Sequence, residues 1–169
     1  MGAVAFDPLG MIEVLNRHGV RYVVIGGIAA GVQGVAWATR DLDICHARSR
    51  ANLRRLAAAL EELVARPVEL PEGVAVRLDA GMLAARDRWT LTTRLGRLDC
   101  LGEPAPGLTF ETLAERGRTF QGSQTYVVAS LEDLITMKGA AGRPRDVAQI
   151  EMLRAAIDEA RARSSASDD

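Results

Sequence analysis

Two short stretches in the first third of the chain contain the residues best suited to chemistry. Gly26-Gly27 follows the apolar run Tyr22–Ile25, and a later apolar run carries Asp41 and Asp43 with one residue between them. Because strand side chains alternate between faces, the two carboxylates are expected to project from the same face. Neighbouring carboxylates repel each other, and a divalent metal ion is the usual partner that stabilises such a pair.

The glycine pair adds a second ingredient. Glycine has no side chain, so a strand-to-helix turn at Gly26-Gly27 exposes backbone N–H groups that phosphate oxygens can approach closely. A phosphate cradle beside a metal-binding acidic pair is the minimum equipment for phosphoryl or nucleotidyl transfer. Each feature alone also has a structural interpretation, because Gly-Gly is common in turns and paired acids are common at exposed strand ends. Their order along the chain favours the functional interpretation.

The composition is that of an ordinary globular protein. A length of 169 residues, 48% hydrophobic and 25% charged, predicts one domain over residues 1–163 and a polar, disordered tail over 164–169. No run is long enough for a transmembrane helix and no signal-peptide pattern is present, so a cytoplasmic protein with no membrane partner is expected. Two cysteines in apolar runs, Cys45 and Cys100, predict buried thiols rather than a disulfide framework.

The charge distribution is balanced overall but uneven locally. The net charge of −1 argues against a protein that coats nucleic acid by charge alone. Two arginine clusters indicate either solvated faces or local anion-binding patches. The first comprises Arg48, Arg50, Arg54 and Arg55, and the second comprises Arg86, Arg88, Arg94 and Arg97.

Hydrophobic periodicity predicts an α/β (α+β) fold, with a single mixed sheet and helices packed against it. Asp99 lies inside an apolar hairpin arm, where an acid without a partner is costly, whereas Asp79 is interpreted as a turn residue. Helices are expected from Pro8 to Gly19, at 28–34, after the N-cap Ser49, at 109–116, at 131–141 after Ser130, and from Pro144. Strands are expected at 22–25, 39–45, 74–78, 89–94, 97–101 and 124–128, with 81–87 ambiguous.

The first motif resembles the signature of the DNA polymerase β-like nucleotidyltransferase superfamily, most closely the small bacterial branch that includes AbiEii-type toxins. The resemblance implies a nucleotidyltransferase-like fold in which Asp99 is the third carboxylate of a Mg²⁺ or Mn²⁺ site, and in which Thr39 and Arg40 line the nucleotide site. Many members carry Gly-Ser in place of Gly26-Gly27, and relatives tend to carry an arginine near Trp37. The matching residues are Gly26-Gly27-Ile28-Ala29-Ala30, Gly34 and Thr39-Arg40-Asp41-Leu42-Asp43-Ile44.

A second stretch, residues 134–146, resembles the C-terminal motif of the same branch. It contains Lys138, small residues, Arg143 and then Asp146 in the next helix. The resemblance implies that all three belong to the nucleotide site, with Lys138 meeting the phosphates and Asp146 holding the site together. Lys138 is also the only lysine among 21 basic residues, which suggests that its compact charge matters. Chance placement of the lysine and a structural Arg143–Asp146 ion pair are the alternatives.

Two functions from different classes are therefore carried forward. The first is a metal-dependent nucleotidyltransferase that moves a nucleoside monophosphate from a triphosphate to a hydroxyl on RNA, protein or a small molecule. The resemblance favours RNA or a toxin–antitoxin role with a cognate partner. The second is a non-catalytic nucleotide-binding or antitoxin-like interaction module with the same fold. Whether labelled triphosphate is transferred to anything discriminates between them.

Overall fold

The computed structural model describes residues 5–71, 73–74 and 76–166. Within these residues the chain folds into one seven-stranded mixed sheet covered by helices, which confirms the expected fold class. The helices are α1 (Pro8–Arg17), α2 (Gly26–Gly31), α3 (Arg50–Glu62), α4 (Ala80–Ala85), α5 (Phe110–Arg116), α6 (Leu131–Ala141) and α7 (Pro144–Ala166). The strands are β1 (Tyr22–Ile25), β2 (Asp41–His46), β3 (Arg66–Pro67), β4 (Arg88–Thr93), β5 (Gly96–Leu101), β6 (Arg118–Gln121) and β7 (Thr125–Val128).

The strand order brings distant parts of the chain together. It runs β3-β4-β5-β2-β1-β7-β6, with β2 at the centre. Strand β2 is antiparallel to β1 and parallel to β5, and the β2–β5 register places Asp43 directly opposite Asp99. Strand β1 is parallel to β7, so the β1–α2 turn and the start of α6 lie at the same end of the sheet. The residues of both sequence motifs therefore converge on one edge of the molecule.

The faces of β2 divide the molecule into a core side and a polar side. Leu42 and Ile44 are fully buried, whereas Asp41 and Asp43 are only partly buried. This alternation is the period of two expected for a strand with one face in the core. The core includes large buried side chains from both helices and sheet, among them Met11, Ile12, Leu15, Leu56, Leu60 and Leu98.

Local capping signals fix several helix starts where the sequence predicts them. Asp7 accepts a hydrogen bond from the Gly10 amide ahead of α1. Ser49 and Ser130 do the same for α3 and α6, at the third residue after each cap. Asp79, expected in a turn, caps α4 by accepting from the Met82 amide. Each side chain satisfies a backbone donor that the first helical turn leaves free.

Several expected elements are wrong in type or position. Helix α2 begins at Gly26 rather than residue 28, because Gly26 adopts a φ of 64° that turns the chain directly out of β1. Residues 74 and 76–78 form no strand, and residue 75 of that expected strand lies outside the described part. The ambiguous segment 81–87 contributes to α4, whereas β3 and β6 were not expected at all. Both are short strands at the sheet edges, where apolar alternation is weakest.

The C-terminal helix is long and mostly solvent-exposed. Helix α7 continues through Ser164 and Ser165 to Ala166, so these residues of the expected tail are helical, and residues 167–169 lie outside the described part. Within α7, Asp146 and Leu153 are buried. Among the described helices, none combines the length and apolar character needed to span a membrane. Cys45 and Cys100 are buried free thiols, as expected.

Candidate active site

Three carboxylates meet on the polar face of the sheet, and we call them the carboxylate triad: Asp41, Asp43 and Asp99. One oxygen from each lies within 4.8 Å of the other two. Two features of the sheet produce this geometry. Asp41 and Asp43 share a face of β2, and Asp99 is the β5 partner of Asp43. The arrangement offers a divalent cation three oxygen ligands from two rigid strands.

The triad lacks a counter-charge of its own. Burial, followed by repulsion from Asp41 and Asp99, raises the pKa of Asp43 to about 7. Burial and the Asp41 charge also raise the pKa of Asp99. The Oδ1 atom of Asp99 is buried and has no hydrogen-bond partner among the described residues. An unpaired buried acceptor beside two further acids is costly, so the triad fits a bound cation better than an empty structural role.

The glycine pair is required by the packing around it. A Cβ on Gly26 would overlap the Asp43 carboxylate. A Cβ on Gly27 would lie 2.8 Å from Trp37 Nε1 and 2.9 Å from Thr39 Oγ1. Trp37 and Thr39 therefore fill the space that a side chain at position 27 would need.

The two polar residues before β2 differ in their roles. The Thr39 hydroxyl donates to Asp41 Oδ1 at 2.7 Å, so it holds the first carboxylate of the triad in place. Arg40 is exposed and lies beside the cleft next to Thr39. Thr39 thus orients one carboxylate of the triad, whereas Arg40 is exposed toward the cleft.

Lys138 lies at the centre of a second group, which we call the lysine cluster: Trp37, Lys138, Arg143, Asp146 and Gln149. Its ammonium donates a short hydrogen bond to Gln149 Oε1 and lies 3.7 Å from Asp146 Oδ1. It also lies 4.9 Å from the centre of the Trp37 ring, in cation–π contact. Burial lowers the Lys138 pKa, an effect that the nearby Asp146 carboxylate opposes. The cluster joins α6, α7 and the loop before β2.

Asp146 is the structural centre of this cluster. Its side chain is 2% exposed and accepts hydrogen bonds from the Arg143 amide and Nε, both at 3.0 Å. Although burial opposes the shift, these bonds lower the Asp146 pKa. The left-handed Gly142, with a φ of 61°, ends α6 and allows the tight turn that brings the pair together. Asp146 therefore holds Lys138 and Arg143 instead of facing the cleft.

A cleft of about 1020 Å³ joins the triad to the lysine cluster. Every residue that the sequence nominates for the site lines it, except Asp146. Sequence reasoning missed Gln149, because nothing in its helix pattern marks it as the partner of Lys138. It left Arg88 and Arg97 open as either solvated surface charges or part of an anion-binding patch, although strand alternation places Arg97 on the same face as Asp99. Other residues of the lining include Arg88, Thr90, Arg97, Glu103, Arg145 and Gln149.

A second cavity, of about 1240 Å³, lies between α3 and α4. Its lining combines the apolar side of α3 with Arg50, Arg54 and Arg77 at the rim. Asp79, its acid on α4, is already engaged as a helix cap. No carboxylate cluster comparable to the triad occurs there among the described residues, so the chemistry belongs to the cleft.

Comparison with known proteins identifies the fold. No family model matches the sequence, and no curated protein matches it. A Thermotoga maritima protein described as a candidate nucleotidyltransferase shares 17% identity at a TM-score of 0.54, over 89% of this chain and 90% of that chain. The crystal structure of ANT(2″)-Ia in complex with adenylyl-2″-tobramycin shares 17% identity at a TM-score of 0.55. That match covers 91% of this chain and 87% of that chain. The solution structure of the same antibiotic-resistance factor shares 15% identity at a TM-score of 0.52. That match covers 95% of this chain and 93% of that chain.

These similarities extend over almost the whole length of each chain, so they concern the complete fold rather than a shared fragment. They confirm the fold that the resemblance implies, whereas none of them concerns the AbiEii-like branch, which stays a prediction. The chain has a nucleotidyltransferase-like fold, with an acidic cluster at the centre of its polar face.

Proposed function

We propose that this protein is a metal-dependent nucleotidyltransferase that transfers a nucleoside monophosphate from a nucleoside triphosphate to an acceptor hydroxyl. The observation that carries the proposal is the carboxylate triad, whose oxygens converge within 4.8 Å with one buried oxygen unpaired. The nucleotidyltransferase-like fold supports it, as does the adenylylated compound bound to ANT(2″)-Ia, a structural neighbour.

The triad would hold Mg²⁺ or Mn²⁺, since hard divalent cations prefer carboxylate oxygens. When bound, such an ion would neutralise charge on the triphosphate and favour ionisation of the acceptor hydroxyl. Thr39 would keep Asp41 oriented through its 2.7 Å hydrogen bond. The buried Asp99 oxygen that has no hydrogen-bond partner would gain one by binding the cation.

The nucleotide is assigned to the side of the triad formed by β1 and the lysine cluster. There the Gly26-Gly27 turn would offer backbone N–H groups to the phosphates, and Lys138, Arg143 and Arg40 would supply positive charge. Asp146 would act only through Lys138 and Arg143, because it is buried against both. With Thr39 acting through Asp41, this assignment includes every residue that the resemblance implies for the nucleotide site.

The acceptor is assigned to the opposite side, because Asp99 lies on β5, separated from the glycine turn by β2. Asp99 would take the proton from the acceptor hydroxyl. The hydroxyl oxygen would then bond to the α-phosphorus of the triphosphate while the bond to pyrophosphate breaks. The partly buried position of Asp99, beside the other two carboxylates and facing the cleft, places it where an acceptor hydroxyl could meet it.

Two finer assignments rest on the sequence resemblance. A toxin–antitoxin role, with RNA or protein as acceptor and a cognate partner, follows from the AbiEii-like motifs. A cytoplasmic location agrees with two buried thiols that form no disulfide.

The alternative is a non-catalytic module that retains nucleotide affinity. It is favoured by one observation: Trp37 takes the space beside Gly27 and covers Lys138. The decisive test incubates the protein with α-phosphate-labelled triphosphates, Mg²⁺ and a mixture of RNA, protein and small-molecule acceptors. Transfer by the wild type and by Asp158→Asn, an exposed control on α7, but not by Asp41→Asn, supports the enzyme. Nucleotide binding without transfer to any acceptor supports the module.

A further inference from the structure

The side of the cleft beyond Asp99 is formed by β4 and β5 and carries two arginines. Arg97 precedes Asp99 by two residues on β5, and Arg88 is the β4 partner of Leu101, two residues after Asp99. Two strand residues span roughly 7 Å, so the arginines flank Asp99 in both directions along the strand. Both side chains are exposed and both line the cleft.

The side chains of these two arginines are not tied into the fold by short-range polar contacts. Neither side chain makes a hydrogen bond or ion pair with any described residue, although both act on Asp99 through longer-range attraction. Other arginines near this region are engaged. Arg48 pairs with Asp87 at 3.1 Å, and Arg94 donates to the Glu62 carbonyl oxygen. Arg88 and Arg97 are therefore free to meet a ligand.

The acids on the same side are already in use. Asp87 pairs with Arg48 and accepts from the Glu103 amide, while Glu103 accepts from the Gly107 amide at 2.6 Å. When divalent cations offset the charge of the triad, Arg88 and Arg97 are cations without an ion-pair partner on this side, whereas Asp87 is paired with Arg48 and Glu103 accepts a backbone amide. Such a surface attracts anions and repels cations.

We propose that the acceptor hydroxyl belongs to a molecule that carries phosphate groups beside it, and that Arg88 and Arg97 select this acceptor by binding those phosphates. This inference rests on the proposed transfer reaction and names its substrate class. The proposal predicts that a polycationic aminoglycoside, such as the tobramycin part of the compound bound to ANT(2″)-Ia, is a poor acceptor, because Arg88 and Arg97 would repel its ammonium groups. The terminal hydroxyl of an RNA strand and the hydroxyl of a sugar phosphate both have the required chemistry.

Binding to each candidate acceptor tests the proposal directly. A short fluorescent single-stranded RNA is titrated by anisotropy, and ribose 5-phosphate and tobramycin by calorimetry, with Mg²⁺ present and triphosphate absent. We expect the wild type to bind RNA or ribose 5-phosphate more tightly than tobramycin. Binding of RNA alone identifies a strand end as the source of the phosphates, and binding of ribose 5-phosphate identifies a small acceptor.

The matched variants are Arg88→Gln with Arg97→Gln, and Arg118→Gln as an exposed control on β6, outside the cleft. The double variant should bind the phosphate-bearing acceptor roughly tenfold or more weakly, the loss expected for a charge-assisted contact. If RNA is the acceptor, the slope of log affinity against log salt should fall by about 1.4, at about 0.7 per phosphate contact. Arg118→Gln should bind as the wild type does.

Three results would each overturn the proposal: tighter binding of tobramycin than of either phosphate-bearing probe, unchanged binding in the double variant, or no binding of either phosphate-bearing probe. A separate thermal-shift measurement of the wild type with Mg²⁺ and triphosphate keeps the two proposals distinguishable. A shift with triphosphate but no binding of either phosphate-bearing acceptor refutes this inference alone. No shift with triphosphate refutes the transferase itself.

Discussion

The carboxylate triad and the lysine cluster lie at two ends of one cleft, yet they are built in opposite ways. The triad gathers three acids without a cation, and one of its oxygens is buried and unpaired. In the lysine cluster, Asp146 is paired with both Lys138 and Arg143, and Lys138 also contacts Gln149 and Trp37. The triad is complete only with a ligand, whereas the cluster is complete within the fold.

The difference predicts opposite effects on stability when charged residues are removed from the two groups. In the triad, like charges repel each other in the folded state. The protein should therefore gain stability when these acids are neutralised, whether by a metal or by mutation. A site whose charges already pair should lose stability when any member is removed. The following predictions test the contrast.

The largest effect is expected from Asp41→Asn combined with Asp43→Asn. Transfer should fall by roughly 10³-fold or more, because a bound metal supplies several kcal/mol of transition-state stabilisation. The thermal shift with Mg²⁺ and triphosphate should disappear, while the protein without metal melts at the same or a higher temperature. Differential scanning fluorimetry measures both. An equal shift in wild type and double variant contradicts the metal site.

Asp99→Asn should separate transfer from nucleotide binding. If Asp99 accepts the proton of the acceptor hydroxyl, kcat should fall by roughly 10²–10⁴-fold with a modest change in the KM for triphosphate. Steady-state kinetics with the identified acceptor measures the two parameters. Transfer at the wild-type rate would mean that Asp41 and Asp43 suffice and that Asp99 only supports the strand.

Lys138→Ala should weaken triphosphate binding by about 1–3 kcal/mol, the range for one charge-assisted contact, and Lys138→Arg should restore only part of it. Because Lys138 also contacts buried Asp146, its removal should lower the melting temperature as well. Gln149→Ala is the matched control: it removes the anchor of the ammonium and should lower stability without weakening nucleotide binding. Titration calorimetry with a non-hydrolysable triphosphate and Mg²⁺ compares the variants. Unchanged affinity in Lys138→Ala would make the lysine purely structural.

Gly27→Ser, which restores the residue found in many similar proteins, should destabilise this chain by about 1–3 kcal/mol through overpacking. The new Cβ would meet Trp37 and Thr39 within 3 Å. Combining the change with Trp37→Ala should relieve most of the cost, and urea unfolding of the four variants gives the coupling energy. Additive effects would show that Trp37 does not fill the serine position.

The last prediction concerns a gradual dependence of stability on pH. Because burial and the neighbouring acids raise the pKa of Asp43 to about 7, the native state holds more protons than the unfolded chain between about pH 4 and 7. The free energy of unfolding without metal should therefore fall as pH rises through this window, by less than about 1.4 kcal/mol per pH unit for this group. Asp43→Asn should flatten the profile. Mg²⁺ affinity should rise over the same window, because the ion competes with the proton.

Much of this arrangement could be predicted from local patterns. The β1 strand and the hairpin that carries Asp99 follow from apolar runs, and the cap of α6 follows from Ser130 and its spacing to Asp133. The short edge strands β3 and β6 could not be predicted, because their few residues carry no clear alternation. The strand expected at 74–78 does not form at residues 74 and 76–78, for a related reason. An alternating run becomes a strand only if a neighbouring strand is there to pair with it.

For the site, the sequence by itself determined that Asp41 and Asp43 share a face and that Gly26 must turn the chain, since both follow from local backbone geometry. It also marked Lys138, through its type alone. Only the tertiary structure decided that Asp99 lies opposite Asp43, that Trp37 fills the space beside Gly27, and that the side chains of Arg88 and Arg97 line the cleft beside Asp99. These are contacts between residues far apart in the chain, and they depend on strand order and packing that no local pattern specifies.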